Sequence, residues 1–135
     1  MKQFNISYKS NKNIVYSCKY HVVWTPKYRK SILSEDIQNR LKTIIQDLSI
    51  ELDFDIIAME TMPDHIHLLL EVDPQFGIHK VVKRIKGTTS RILRKEFKEL
   101  TTKVPTLWTN SYFCSTVGGA PLEVIKQYVE EQKNV

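Results

Sequence analysis

Two histidines separated by one apolar residue, His65-Ile66-His67, open a run that continues Leu68-Leu69-Leu70-Glu71-Val72. Strand side chains alternate, so His65, His67, Leu69 and Glu71 share one face while Ile66, Leu68, Leu70 and Val72 share the other. The apolar set belongs on the core. Both imidazoles then stand side by side on the opposite face, where together they can bind one cation. The same spacing also fits two half-exposed histidines, each satisfied by a hydrogen bond to a neighbour. A third ligand and a reacting group separate the two readings.

The C-terminal segment Pro121-Leu-Glu-Val-Ile-Lys-Gln-Tyr128-Val-Glu-Glu-Gln132 carries candidates for both. Leu122, Ile125 and Val129, spaced by three and four, give a helix a packing side. Tyr128 and Gln132, four residues apart, stack on one face about one turn from each other. The amide oxygen can serve as a metal ligand and the phenol as a nucleophile. A tyrosine at the edge of a core is the plain alternative for this spacing.

These groups need elements to hold them. Residues 14–24 are mostly β-branched and aromatic, with Tyr16, Cys18, Tyr20, Val22 and Trp24 at period two, and predict a strand ended by Pro26. Ser34 caps a helix whose first turn holds Glu35 and Asp36, and whose apolar stripe is Ile37, Leu41, Ile44, Ile45, Leu48 and Leu52. A second strand fits 55–60, Met62-Pro63-Asp64 turns the chain, and residues 65–72 form a third. A basic helix follows over 78–99, with a break expected at Gly87. A fourth strand fits 112–117, and Gly118-Gly119 precedes the closing helix, for which Pro121 suits the first position. After Gly118-Gly119 a tight turn and a hinge both remain open.

The order β-α-β-β-α-β-α contains the split βαβ, ferredoxin-like arrangement: an α+β fold with a four-stranded antiparallel sheet and helices on one face. The other sheet face is expected to be bare, which suits a ligand, a nucleic acid or a second subunit. Residues 1–135 are expected to form a single domain, with 1–13 a loose N-terminal arm.

Composition sets bounds on this reading. The chain has 135 residues, 41% of them hydrophobic, and a net charge of +5. That mild basic excess permits a polyanionic partner without requiring one. Cys18 and Cys114 lack the spacing of a zinc site or a disulfide scaffold. No stretch approaches the roughly 18 apolar residues of a membrane span, and the first residues lack an apolar signal core. No membrane partner and a cytoplasmic location are the expectation.

Positive charge concentrates in two places. Residues 79–98 hold Lys80, Lys83, Arg84, Lys86, Arg91, Arg94, Lys95 and Lys98 against one acid, Glu96. On a helix, Lys80, Arg84, Arg91, Arg94 and Lys95 fall near one face, opposite Val82, Ile85 and Leu93. Such a face is either solvated or a groove for nucleic-acid backbone. The segment Lys27, Tyr28, Arg29 and Lys30 follows Pro26 and mixes charge with a ring, which suits unpaired bases. Tyr20 and Trp24 are read as core.

Several stretches together are similar to one family: Tyr20-His-Val-Val-Trp-Thr-Pro-Lys-Tyr-Arg29, Asp64-His-Ile-His-Leu-Leu69, Lys86-Gly-Thr-Thr-Ser-Arg-Ile-Leu93, Leu107-Trp-Thr-Asn110, Ser115-Thr-Val-Gly-Gly-Ala120, and Tyr128 with Gln132. From about Tyr16 to Gln132 the chain resembles the single-tyrosine transposases of the IS-two-hundred-like insertion sequences, members of the HUH endonuclease superfamily. REP-associated tyrosine transposases are relatives of this group. The resemblance implies that His65, His67 and Gln132 bind one divalent ion, Mg2+ or Mn2+. It implies that Tyr128 attacks single-stranded DNA, keeps the 5′ phosphate and frees a 3′ hydroxyl. It also implies hairpin-bearing DNA ends as partner, and a homodimer in which each tyrosine helix completes the other subunit's histidine site.

The residue types suit that chemistry. A phenol with a reference pKa near 10 is a weak nucleophile at neutral pH, so electrophilic help at the phosphate matters. Two neutral imidazoles and a neutral amide leave a cation's full charge for that task. A covalent phosphotyrosine keeps the energy of the broken bond, in agreement with the lack of a phosphate-binding Gly-Lys motif. Two other readings share the fold: a domesticated relative that processes chromosomal palindromic repeats, and a non-catalytic ferredoxin-like module that binds RNA or single-stranded DNA.

Overall fold

The computed structural model describes residues 9–117 and 122–134. Its principal sheet has four antiparallel strands in the order β4-β5-β3-β6. These are β3 (Lys19–Trp24), β4 (Asp55–Met62), β5 (His65–Glu71) and β6 (Phe113–Thr116). That order is the ferredoxin-like one, with the first and third long strands at the centre. Two long helices, α1 (Glu35–Leu52) and α2 (Ile78–Glu96), cover one face.

The sequence explains which face is covered. Val22, Trp24, Ile66, Leu68 and Leu70 are all fully buried, against Ile37, Leu41 and Ile45 of α1 and Val82, Ile85 and Leu93 of α2. Alternation then leaves His65 and His67 half-buried on the other side. Ser34 caps α1, its hydroxyl accepting from the Ile37 amide at 3.4 Å. Trp24 meets Trp108 edge to face at 5.9 Å, and the Trp108 indole N–H donates to Thr89 Oγ1 at 2.9 Å. This locks the 104–109 segment onto α2.

Four expectations need correction. The 14–24 strand is split: Val15–Tyr16 is a short strand, β2, that pairs with β1 (Lys9–Ser10) apart from the main sheet. Residues 9–13 are therefore not a loose arm. The Asn11 carboxamide donates to Asp73 and Gln75, and its oxygen accepts from the amides of Asn13 and Ile14. Helix α2 runs unbroken through Gly87, where a side chain would meet open space. A five-residue helix, α3 (Glu99–Lys103), follows it; its single buried residue, Leu100, is too little for a periodic signal.

The fourth correction concerns the sheet's second face. Helix α4 (Leu122–Glu131), prolonged by a 3₁₀ turn over Gln132–Asn134, lies across part of it. Val23, on that face, is fully buried. The expectations for Gly118, Gly119 and Pro121, and for the side chains of Leu122 and Ile125, lie outside the described residues. No described helix is long and apolar enough to cross a membrane.

Candidate active site

His67 pairs across the sheet with Glu60 on one side and Val23 on the other, and Val23 pairs in turn with Phe113. This row crosses all four strands on the face away from α1 and α2. His21, on β3, shares the same face. Its Nδ1 lies 3.1 Å from His67 Nε2, one of the two nitrogens donating to the other. Sequence reasoning missed His21, although period-two alternation from Tyr20, Val22 and Trp24 assigns it to this side.

The two strand histidines differ in their surroundings. His65 Nδ1 lies 2.9 Å from Asp64 Oδ1, and Asp64 Oδ2 forms an ion pair with Arg29, 3.1 Å from its Nε. His67 is displaced below the ordinary histidine range by burial first, then by its neighbours His21 and His65, with Glu60 opposing. Its neutral form, the one that can bind a metal, is thereby favoured. Among the described residues, no three or more His, Cys, Asp or Glu side chains are gathered to hold a metal. The cleft offers the imidazoles of His65 and His67, with His21 beside His67.

Helix α4 borders the site without yet presenting its tyrosine to it. The cleft is lined by Val23, Arg29, Glu60, Asp64, His65 and His67, and from α4 by Lys126, Val129 and Glu130. Tyr128 and Gln132 do share one face, as their spacing predicts, but it points toward β6. The Tyr128 ring packs on Phe113 with centroids 5.6 Å apart. Its hydroxyl is 2.9 Å from Ser111 Oγ, and Ser111 Oγ donates to Gln132 Oε1 at 3.2 Å. A carboxamide oxygen only accepts, so the serine proton points to Gln132 and the phenol donates to the serine. Phe113 and His67 are two strands apart in one cross-strand row, roughly 10 Å at ordinary strand spacing. Burial raises the Tyr128 phenol above its usual range, and the Ser111 bond partly opposes this.

The basic residues divide by role. Lys86 is half-buried, its ammonium donating to the carbonyls of Thr109 and Ser111 at 2.6 and 3.0 Å. Arg94 donates to Val104 O, and Lys30 to Lys103 O. These three, expected as DNA contacts, tie loops to the frame. Arg84 pairs with Glu51 at 2.5 Å, and Lys80 lies over Phe76. Lys83, Arg91 and Lys95 are exposed on α2. All of α2 lies beyond the sheet from the imidazoles, so its basic face and the histidine cleft look in opposite directions.

Lys27, Tyr28 and Arg29 form a single 3₁₀ turn in which Tyr28 and Arg29 both have positive φ, 61° and 51°. Two successive left-handed non-glycine residues are strained and need support from around them. Tyr28 is 45% exposed with Lys27 over its ring, which leaves the ring open to a partner. Arg29 turns inward to Asp64 and to Glu130 of α4, at 3.1 and 2.7 Å.

Residues 14–132 match the family described as "Transposase IS200 like". The chain is 36% identical over 126 residues to the ISDra2 transposase TnpA of Deinococcus radiodurans, covering 92% of this chain and 90% of the relative. It is 31% identical over 130 residues to the transposase for insertion sequence element IS200 of Salmonella typhimurium, covering 93% and 86%. Among solved structures, a transposase of Deinococcus radiodurans superimposes with a TM-score of 0.81 at 34% identity, over 94% of this chain and 99% of that one. A REP-associated tyrosine transposase bound to a REP hairpin gives 0.59 at 13% identity, over 96% and 69%, which is a likeness of fold.

Proposed function

The chain belongs to the IS200-like transposase family and is an enzyme that acts on DNA, and on that premise we propose that it cuts and rejoins single-stranded DNA through Tyr128. The observation that carries this reading is the placement of His65 and His67 on the sheet face bordered by α4, the helix that carries Tyr128. In the reaction, the Tyr128 oxygen forms a bond to phosphorus as the bond to the 3′ oxygen breaks. The 3′ side leaves as a free hydroxyl, and the 5′ phosphate stays on the tyrosine. A later 3′ hydroxyl attacks that phosphotyrosine, restores the phenol and rejoins DNA without ATP. Transposition needs this reversibility, since both ends of each break must be conserved.

His65, His67 and Gln132 are the proposed holders of a divalent ion, Mg2+ or Mn2+. Bound there, such an ion would supply electrophilic help at the phosphate and offset charge that grows in the transition state. The donor chemistry suits the ion: His65 has its Nδ1 occupied by Asp64, and the surroundings of His67 favour its neutral form; to bind it, His67 Nε2 must give up its His21 contact and Gln132 Oε1 its Ser111 hydroxyl. Imidazole and amide donors do not choose between the two metals. Arg29, on the wall of the same cleft, is suited to grip an adjacent phosphate. We further propose that hairpin-bearing element ends are the substrate, and that two copies assemble so that α4 of each completes the other's histidine site. The docking of Tyr128 on Phe113 and Ser111, away from the chain's own imidazoles, supports such an exchange.

Cleavage of labelled single-stranded and duplex oligonucleotides from the flanking DNA tests this. Wild type is expected to cut the single strand and to keep the fragment downstream of the cut attached, through its 5′ phosphate, after denaturation; Tyr128→Phe is expected to bind without cutting. A wild-type product free of protein, or an adduct that survives in Tyr128→Phe, overturns the mechanism.

A further inference from the structure

We propose that Asp64 is a positioning residue for His65: it fixes which imidazole nitrogen carries the hydrogen and so which one faces the cleft, and Arg29 holds it in that task. The inference rests on the cation site described above. A carboxylate oxygen accepts hydrogen bonds and does not donate them, so the 2.9 Å contact between Asp64 Oδ1 and His65 Nδ1 requires hydrogen on Nδ1. Nε2 is then the nitrogen left with a lone pair for a cation. This choice runs against the tautomer that free imidazole side chains favour in water, and the protein must enforce it. Ligand histidines are commonly held this way, by an acceptor on the nitrogen turned from the metal.

Geometry makes Asp64 suited to the role. It sits in the turn between β4 and β5, directly before His65, and its side chain is 22% exposed. Its second oxygen is engaged by Arg29 Nε at 3.1 Å, so the carboxylate is fixed at both ends. Arg29 reaches it from a backbone with φ of 51° next to Tyr28 at 61°. A left-handed pair of ordinary residues is retained only where its surroundings over-determine it. Here the Arg29 amide donates to Pro26 O, the Lys27 amide donates to Leu107 O, and the guanidinium also meets Glu130. The relay therefore runs from the frame through Arg29 and Asp64 to the ring of His65.

Two measurements on the full chain test it. Nitrogen NMR of the imidazoles, without metal, reads the tautomer of His65 directly. Mn2+ binding, followed by the loss of free-ion EPR signal, reads its consequence. Wild type is expected to hold hydrogen on Nδ1. Asp64→Ala is expected to shift it toward Nε2 and to weaken Mn2+ binding about 10- to 100-fold, the usual range for losing such a partner. Asp64→Asn keeps an acceptor oxygen and is expected to fall between them, with thermal midpoints of all three alike. An unchanged tautomer in Asp64→Ala overturns the inference, as does equal Mn2+ binding by wild type and Asp64→Ala while His65→Ala is impaired. Equal binding by wild type and His65→Ala instead overturns the cation site itself. The tautomer still decides the role of Asp64 in that case.

Discussion

Ser111→Ala is the substitution that most directly probes how Tyr128 reaches the cleft. The Ser111 hydroxyl accepts from the phenol at 2.9 Å and donates to Gln132 at 3.2 Å, so one side chain ties down both the proposed nucleophile on α4 and the proposed ligand in the turn after it. A net intramolecular hydrogen bond contributes about 0.5–1.5 kcal/mol, so losing the pair loosens the docked helix by roughly 1–3 kcal/mol. The Phe113 contact and the exposed Arg29–Glu130 pair remain, and the latter adds little. If docking on Ser111 competes with approach to the imidazoles, the released fraction rises about 5- to 150-fold. Single-turnover cleavage of a hairpin-bearing single strand, with protein in excess, should then accelerate until the chemical step limits. Ser111→Thr keeps the hydroxyl and should behave as wild type. The phenol gives an independent reading: burial holds its pKa up, so release lowers it, while a still-docked phenol stays raised. Slower cleavage together with a Tyr128 pKa no lower than that of wild type refutes the competition.

Mixing Tyr128→Phe with His65→Ala protomers should restore part of the cleavage that each lacks alone, because one composite site keeps both groups; continued inactivity of verified mixed dimers would argue for action within one chain. The Lys86 ammonium, pushed down to about 8 by burial, should titrate in NMR well below the other lysines; its two carbonyl partners restrain the shift, but titration among the exposed lysines contradicts the buried placement. With the folded value below the unfolded one, the folded state binds fewer protons between them, so Lys86 adds stability as pH rises from about 8 toward 10.5 and none below that window. Thr89→Val should cost about 1–3 kcal/mol in urea unfolding, since it leaves the Trp108 N–H buried without its partner; an unchanged midpoint would mean that water or repacking satisfies the indole.

The frame was legible where one period dominated. Ile66, Leu68 and Leu70 announce a strand with one buried face, and that alone puts His65 and His67 on the other. Ser34 and the stripe from Ile37 to Leu48 announce α1 equally well. Harder to read was anything fixed by contacts between distant segments. Lys86 and Arg94 look like members of a basic stretch, yet each reaches a loop carbonyl that no local pattern predicts. Ser111 is one hydroxyl among many until α4 folds back over it. Asp64 was visible as a turn residue, but its bond to His65 depends on rotamers, and Arg29's approach depends on a left-handed backbone that its sequence does not favour.

The site is unequal in how its two halves are held, and this has a consequence for mechanism. His65, His67 and His21 stand on central strands, and Arg29 is braced by Asp64 and by backbone bonds around Pro26. Against this, the described polar links from α4 to the rest of the chain pass through Ser111 and Arg29. A half built on strands keeps the geometry proposed for phosphate binding whether or not the tyrosine is present. A half held by few links can leave one surface and dock on another, as the proposed exchange of α4 between copies demands. Changes at Asp64 or Arg29 should therefore show first in cation and DNA affinity, and changes at Ser111 in rate at unchanged affinity. Were Ser111→Ala to weaken Mn2+ binding as strongly as Asp64→Ala does, Gln132 would already be a ligand in the resting protein, and the separation of the halves would fail.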